Sequence, residues 1–92
     1  MQKGLSARIS GKVQGVWFRG STQLKARELG VTGWVKNEPD ESVRLQAFGE
    51  ENALERLLSW CHSGPKHARV EKVDHSYIPH EIHQDFIIVR DL

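Results

Sequence analysis

The part of the chain best suited to chemistry is a loop with two glycines and an arginine at residues 11–19, which read GKVQGVWFR. The loop leaves an expected strand and enters an expected helix, whose first N–H groups have no partners within the helix and lie at the positive end of its dipole. A loop that turns its own amides toward the same point forms a cradle for a phosphate-sized anion. Gly15 can take a positive φ at no steric cost, and Arg19 has the planar fork that grips two phosphate oxygens. A phosphate-binding loop and a plain strand-to-helix turn with a surface arginine both fit this spacing.

A second group of polar side chains lies near the end of the chain, at His80, His83 and Asp85. Two histidines three positions apart would share a metal ion on a helix, with the carboxylate completing the site. The segment begins just after Pro79, however, and is typical of an exposed connection between strands. Because too few ligands stand at the right spacing, we expect no metal site.

Composition limits the partners of this protein. Its 92 residues include 13 Lys and Arg against 12 Asp and Glu, a formal net charge of +1. Such a balance creates no basic field for nucleic acid or for an anionic membrane, and no segment approaches membrane-spanning length. No cofactor-binding motif is present. Cys61 is the only cysteine, which excludes an intramolecular disulfide and suggests a core position. We therefore expect a cytoplasmic monomer without a cofactor.

The loop must be positioned by the secondary structure around it. Residues 5–13 alternate apolar and polar side chains, as a strand with one buried face does, and residues 17–29 carry apolar residues at helical spacing. A polar turn at residues 38–42 contains Pro39 and indicates a hairpin. The remaining expected elements are strands at 31–37, 43–48, 68–77 and 86–89 and a helix at 50–63.

The order of these elements is β-α-β-β-α-β with one further strand. It predicts an α+β fold of the ferredoxin-like kind, a two-layer sandwich in which both helices cover one face of a five-stranded, mostly antiparallel sheet. We expect residues 1–92 to form a single domain, since the chain is too short for two.

Two motifs give the chain a specific resemblance. Residues 11–19 resemble the acylphosphatase signature G-x-V-Q-G-V-x-F-R, and GWVKN at residues 33–37 resembles the second signature of that family, G-W-V-x-N. The likeness continues beyond them, with Trp60 and Gly64 among the matching residues. Two dense motifs in the right order make the match more specific than either motif alone.

The resemblance implies a role for each matching residue. Arg19 matches the arginine that binds the substrate phosphate, and Asn37 matches the asparagine that orients the attacking water. The implied phosphate ligands beside Arg19 are the loop amides of Gln14, Gly15, Val16, Trp17 and Phe18. The implied reaction hydrolyses small acyl phosphates to a carboxylate and inorganic phosphate, by water attack without metal, cofactor or covalent intermediate.

Other hypotheses remain beside this one. Asn37 alone also fits a polar residue that ends a strand. Ferredoxin-like folds include binding modules without hydrolytic activity, and acylphosphatase-like domains stand at the front of large hydrogenase-maturation carbamoyltransferases. The length of the chain leads us to expect a free-standing enzyme instead. One departure concerns Asp40 and Glu41, where family members often have Asp-Gly; a residue with a side chain is strained there if its φ is positive.

Overall fold

The structure, a computed structural model, describes residues 1–90. It contains five strands and two helices in the order expected from the sequence. They are β1 (Gln2–Lys12), α1 (Phe18–Leu29), β2 (Thr32–Asn37), β3 (Val43–Glu50), α2 (Glu51–Cys61), β4 (Arg69–Ile78) and β5 (Phe86–Val89). Neither α1 nor α2 has the length and hydrophobicity that crossing a membrane requires.

The strands form one sheet in the order β4-β1-β3-β2-β5. The pairs β1–β3, β1–β4 and β2–β3 are antiparallel, whereas β5 runs parallel to β2, so the sheet is mixed. The parallel pair arises because the chain leaves β4 at one edge, crosses to the opposite edge, and returns there in the direction of β2. The predicted α+β ferredoxin-like sandwich is confirmed, but the sheet is mixed and not mostly antiparallel as expected.

The core lies between the sheet and the two helices. On β1 the alternate residues Leu5, Ala7 and Ile9 are buried, as the period of two predicts. The two helices bury residues at helical spacing against this face. These residues are Phe18, Thr22 and Ala26 of α1 and Leu54, Leu57 and Cys61 of α2. Burial of each large apolar side chain contributes about 1.5–3 kcal/mol, and this layer packs α1 chiefly against β2 and β5 and α2 against β1 and β3.

Cys61 has the core position expected for it. Its side chain is fully buried, and burial raises the pKa of its thiol to about 12. The thiol is therefore neutral at physiological pH, and a neutral buried thiol packs as a small apolar group.

The turn between β2 and β3 contains the strain that the departure from the family pattern suggested. Glu41 has φ 73°. The Asp40 carboxylate accepts hydrogen bonds from the backbone N–H of Ser42, at 3.0 Å, and from its hydroxyl group. The Ser42 hydroxyl contributes most to holding the pKa of Asp40 below its usual value. The carboxylate thus fixes the turn in a shape that glycine would adopt more readily than glutamate.

Replacing Glu41 with Gly is expected to raise the free energy of unfolding by about 0.5–1 kcal/mol. A side chain in the left-handed region costs about 1–2 kcal/mol, and part of the gain is offset by the greater freedom of glycine in the unfolded chain. Urea denaturation measures the change. Glu41→Ala removes the charge but keeps the strain, so an equal gain from that variant would contradict this explanation.

Candidate active site

The loop between β1 and α1 has an unusual backbone at two positions. Gly15 has φ 74° and Trp17 has φ 64°, whereas Val16 between them does not have a positive φ. Left-handed residues beside a residue of negative φ are typical of the backbone nests that bind anions. Trp17 also occupies the position before the first residue of α1, so the loop leads directly into the positive end of that helix.

Two neighbouring aromatic residues of this loop have opposite environments, one exposed and one buried. A Cβ atom at Gly20 would clash with Nε1 of Trp17, so the indole ring lies directly against Gly20. Trp17 is 67% exposed despite this contact. Phe18, in contrast, is buried with its ring centroid 5.6 Å from that of Trp60. The loop is thus anchored in the core at Phe18, while Trp17 faces solvent beside it.

The side chain of Gln14 ties the loop to the β2–β3 turn. Its Nε2 donates to the carbonyl oxygens of Glu38, at 2.9 Å, and Ser42, at 2.8 Å. Because Glu38 directly follows Asn37, these two bonds fix the distance between the loop and the end of β2. The signature glutamine therefore acts through its side chain as a link between the two motif segments.

Asn37 reaches the loop because of its place in the sheet. It is the last residue of β2 and pairs with Val43, whose side chain is buried on the helical face. Paired residues point to the same side of a sheet, so Asn37 faces the layer that contains the start of α1. It is half-buried there, so part of the residue stays accessible to a small ligand.

These segments enclose a cavity of about 370 Å³. Five of the seven residues predicted from the sequence line it, namely Gly15, Trp17, Phe18, Arg19 and Asn37. Gln14 and Val16 do not line it: the Gln14 side chain is turned to the β2–β3 turn, and Val16 packs against the core. The predicted role of their backbone amides as phosphate ligands stays a prediction.

Other residues line the cavity without having been predicted. Val13, Gly20, Ile88 and Arg90 belong to this set, and Arg90 is the one among them that carries a charge. The alternation of Phe86, Ile88 and Arg90, which runs one residue past the end of β5, was the only available signal, and it does not reveal which strand lies beside β5.

The histidines near the end of the chain have other contacts. His83 lies 3.1 Å from a carboxylate oxygen of Glu81 and stacks on Phe48, with ring centroids 4.7 Å apart. Asp85 accepts two hydrogen bonds from the guanidinium group of Arg27, at 2.8 and 3.1 Å. Within residues 1–90, no three His, Cys, Asp or Glu side chains lie together as metal ligands.

Fold and cavity together define a class of protein: a ferredoxin-like sandwich with a cavity lined by the loop around Gly15, an arginine and an asparagine. The chain belongs to the acylphosphatase family, whose model matches residues 5–88. The sequence-based assignment to this family of enzymes is confirmed.

Named relatives and solved structures agree with this assignment. An acylphosphatase of Salinibacter ruber is 59% identical over 73 residues, which are 79% of this chain and 77% of the relative. The structure of an acylphosphatase from Coxiella burnetii superposes with a TM-score of 0.92 at 41% identity, covering 96% of this chain and 93% of the other. A crystal structure of acylphosphatase from Bacillus subtilis gives 0.91 at 33% identity, covering 97% and 99% of the two chains.

Proposed function

We propose that this protein hydrolyses the carboxyl–phosphate bond of small acyl phosphates, releasing a carboxylate and inorganic phosphate. The observation that carries the proposal is the single cavity in which Arg19, Asn37 and the loop around Gly15 meet. A site of this kind suits phosphoryl transfer, where positioning and charge stabilisation do most of the catalysis.

The phosphoryl group of the substrate lies in the nest. The amides of residues 14–18 and the guanidinium group of Arg19 donate hydrogen bonds to its equatorial oxygens, where negative charge gathers in the transition state. Arg19 follows Phe18, the first residue of α1, so its backbone is held in a helix that the buried Phe18 ring anchors. This support keeps the donors in place before the substrate arrives, which lowers the reorganisation needed during reaction.

The leaving group explains why few catalytic side chains suffice. A carboxylic acid has a pKa of about 4, so the acyl group departs as a stable carboxylate without a general acid. The lining of the cavity is consistent with this, because the described residues contribute no carboxylic acid or imidazole group to it.

Asn37 holds the attacking water through its side-chain amide. An amide has no proton affinity near neutral pH, so Asn37 orients the water and does not act as a base. The water oxygen forms a bond to phosphorus while the bond from phosphorus to the acyl oxygen breaks, and that oxygen keeps the electron pair. A proton of the water passes to an oxygen of the phosphoryl group, and the product leaves as inorganic phosphate.

The reaction proceeds without a covalent phosphoenzyme in this proposal. No serine, threonine or cysteine side chain of residues 1–90 lines the cavity, and neither does a histidine or carboxylate, so the described lining offers no conventional nucleophile. Independence from metal ions and cofactors is part of the same proposal. Monomeric state, cytoplasmic location and lack of nucleic-acid or membrane partners stay predictions from the sequence.

Hydrolysis of acetyl phosphate in ¹⁸O-labelled water, with a chelator present, tests the proposed reaction. We expect turnover at the same rate with and without chelator, and the label in inorganic phosphate. Label in acetate would mean attack at the carbonyl carbon, and loss of turnover with chelator would mean a metal requirement. A protein-bound phosphoryl group after acid quenching would contradict direct water attack.

Replacing Gln14 with Met is expected to lower kcat for acetyl phosphate about tenfold, because the loop and Asn37 lose their link and misplacement of reacting groups is costly. The free energy of unfolding is expected to fall by only about 1 kcal/mol, since both turn carbonyls keep a backbone partner, the N–H of Glu41 for Glu38 and the N–H of Glu38 for Ser42. Steady-state kinetics and urea denaturation measure the two effects. Gln46→Met, on the other face of the sheet, is the matched control, and an equal loss of kcat there would contradict the proposed link.

A further inference from the structure

Arg90 reaches the cavity by the alternation of β5. Phe86 and Ile88 pair with Gly33 and Val35 of β2 and share the helical face with them. Arg90 is the next residue of the same parity and directly follows Val89, the last residue of β5. The lining of the cavity by both Ile88 and Arg90 agrees with this placement.

The cavity has room for more than a phosphate group. Pockets that hold small molecules begin at about 300 Å³, and this one measures about 370 Å³. The nest and Arg19 occupy the part of the cavity that is assigned to the phosphoryl group of the substrate. The rest of the lining includes the apolar Ile88 and the exposed Trp17, with Arg90 as the remaining charged residue. An acyl group bound in this part of the cavity therefore contacts an apolar surface and one guanidinium group.

We propose that Arg90 selects acyl phosphates whose acyl group carries a second negative charge, such as a carboxylate or a second phosphate. The inference rests on the proposed function, since it places the acyl group in the part of the cavity beside the nest. It adds a specificity-determining residue to the site and narrows the substrate class.

Charge and geometry support this role. The described lining contains two guanidinium groups, those of Arg19 and Arg90, and no carboxylate that would neutralise them. A guanidinium group binds planar carboxylates and phosphates through two parallel hydrogen bonds. Arg90 is exposed, so it is able to adjust to acyl groups of different length, and its attraction for them is screened by salt.

The test compares two substrates of nearly the same shape, 4-carboxybenzoyl phosphate and 4-carbamoylbenzoyl phosphate, which differ in one negative charge. The measured quantity is kcat/KM for 4-carboxybenzoyl phosphate divided by kcat/KM for 4-carbamoylbenzoyl phosphate. We expect Arg90→Gln to lower this ratio about fivefold to tenfold, and Arg90→Lys to lower it less. Raising the concentration of KCl is expected to shrink the preference of the native chain.

Arg44→Gln is the matched control. Arg44 lies on the open face of the sheet between the buried Val43 and Leu45, so its replacement removes the same charge outside the cavity. An equal fall of the ratio in Arg44→Gln would assign the preference to overall charge and overturn the proposal, as would an unchanged ratio in Arg90→Gln. If the ratio stays unchanged because both substrates lose kcat/KM equally, Arg90 acts on the phosphoryl group that the two substrates share. Failure of the proposed function looks different, because the native chain would then hydrolyse neither compound.

Discussion

Replacing Arg19 with Ala is expected to lower kcat/KM for benzoyl phosphate by about 10³-fold or more. An arginine that meets the charge of a transferring phosphoryl group contributes about 10³–10⁵ to the rate. Arg19 lies in the first turn of α1 beside the nest, and it lines the cavity with Asn37. Because alanine is the best helix former, the variant is expected to fold, and the loss then reports chemistry. Steady-state kinetics measure the effect, with circular dichroism to verify the helix content.

Two further variants sharpen this prediction. Arg19→Lys keeps the charge but lacks the planar fork, so we expect it to recover only a small part of the lost activity. Arg56→Ala removes an exposed arginine from α2, outside the cavity, and is expected to keep native kinetics. Arg19→Ala activity within tenfold of native would show that Arg19 does not bind the phosphoryl group.

Replacing Asn37 with Ala is expected to lower kcat by about 10²-fold with little change in KM. The asparagine is assigned to the water and not to the substrate, and loss of the correct position of a reacting group costs about this much. A fall in kcat without a rise in KM is the signature of an interaction made chiefly in the transition state. Full kinetic curves with benzoyl phosphate separate the two constants.

The matched variants for Asn37 distinguish water positioning from phosphate binding. Asn37→Asp has the same shape but places a negative charge beside the phosphoryl group, so we expect it to raise KM as well as lower kcat. Asn52→Ala, an exposed asparagine on α2, is the control and is expected to behave as the native chain. A large rise of KM in Asn37→Ala would mean that Asn37 holds the phosphate group and not the water.

The local parts of the site could be predicted from the sequence. Alternation and helical spacing locate the loop between β1 and α1, and the motif residues give Arg19 and Asn37 as candidates. Prediction was less accurate where the conformation of a single residue decides at which residue a helix begins. The expected helix at 17–29 begins one residue late, at Phe18, because Trp17 takes a left-handed conformation that its residue type does not announce.

The long-range parts of the site could not be predicted in this way. Arg90 lines the cavity because β5 lies beside β2, and the order of strands in a sheet is not encoded in the pattern of any one strand. The bonds from the Gln14 side chain to the β2–β3 turn join residues 24 and 28 positions apart. Sequence pattern marks Gln14 as part of a loop, whereas only the fold shows which carbonyl groups it meets.

The most direct test of the account is the rate at which the native chain hydrolyses benzoyl phosphate with a chelator present. We predict rapid turnover that depends on Arg19 and Asn37, since the cavity they line is the proposed active site. No turnover by the folded native chain would contradict the account and leave a phosphate-binding module as the better description of this protein.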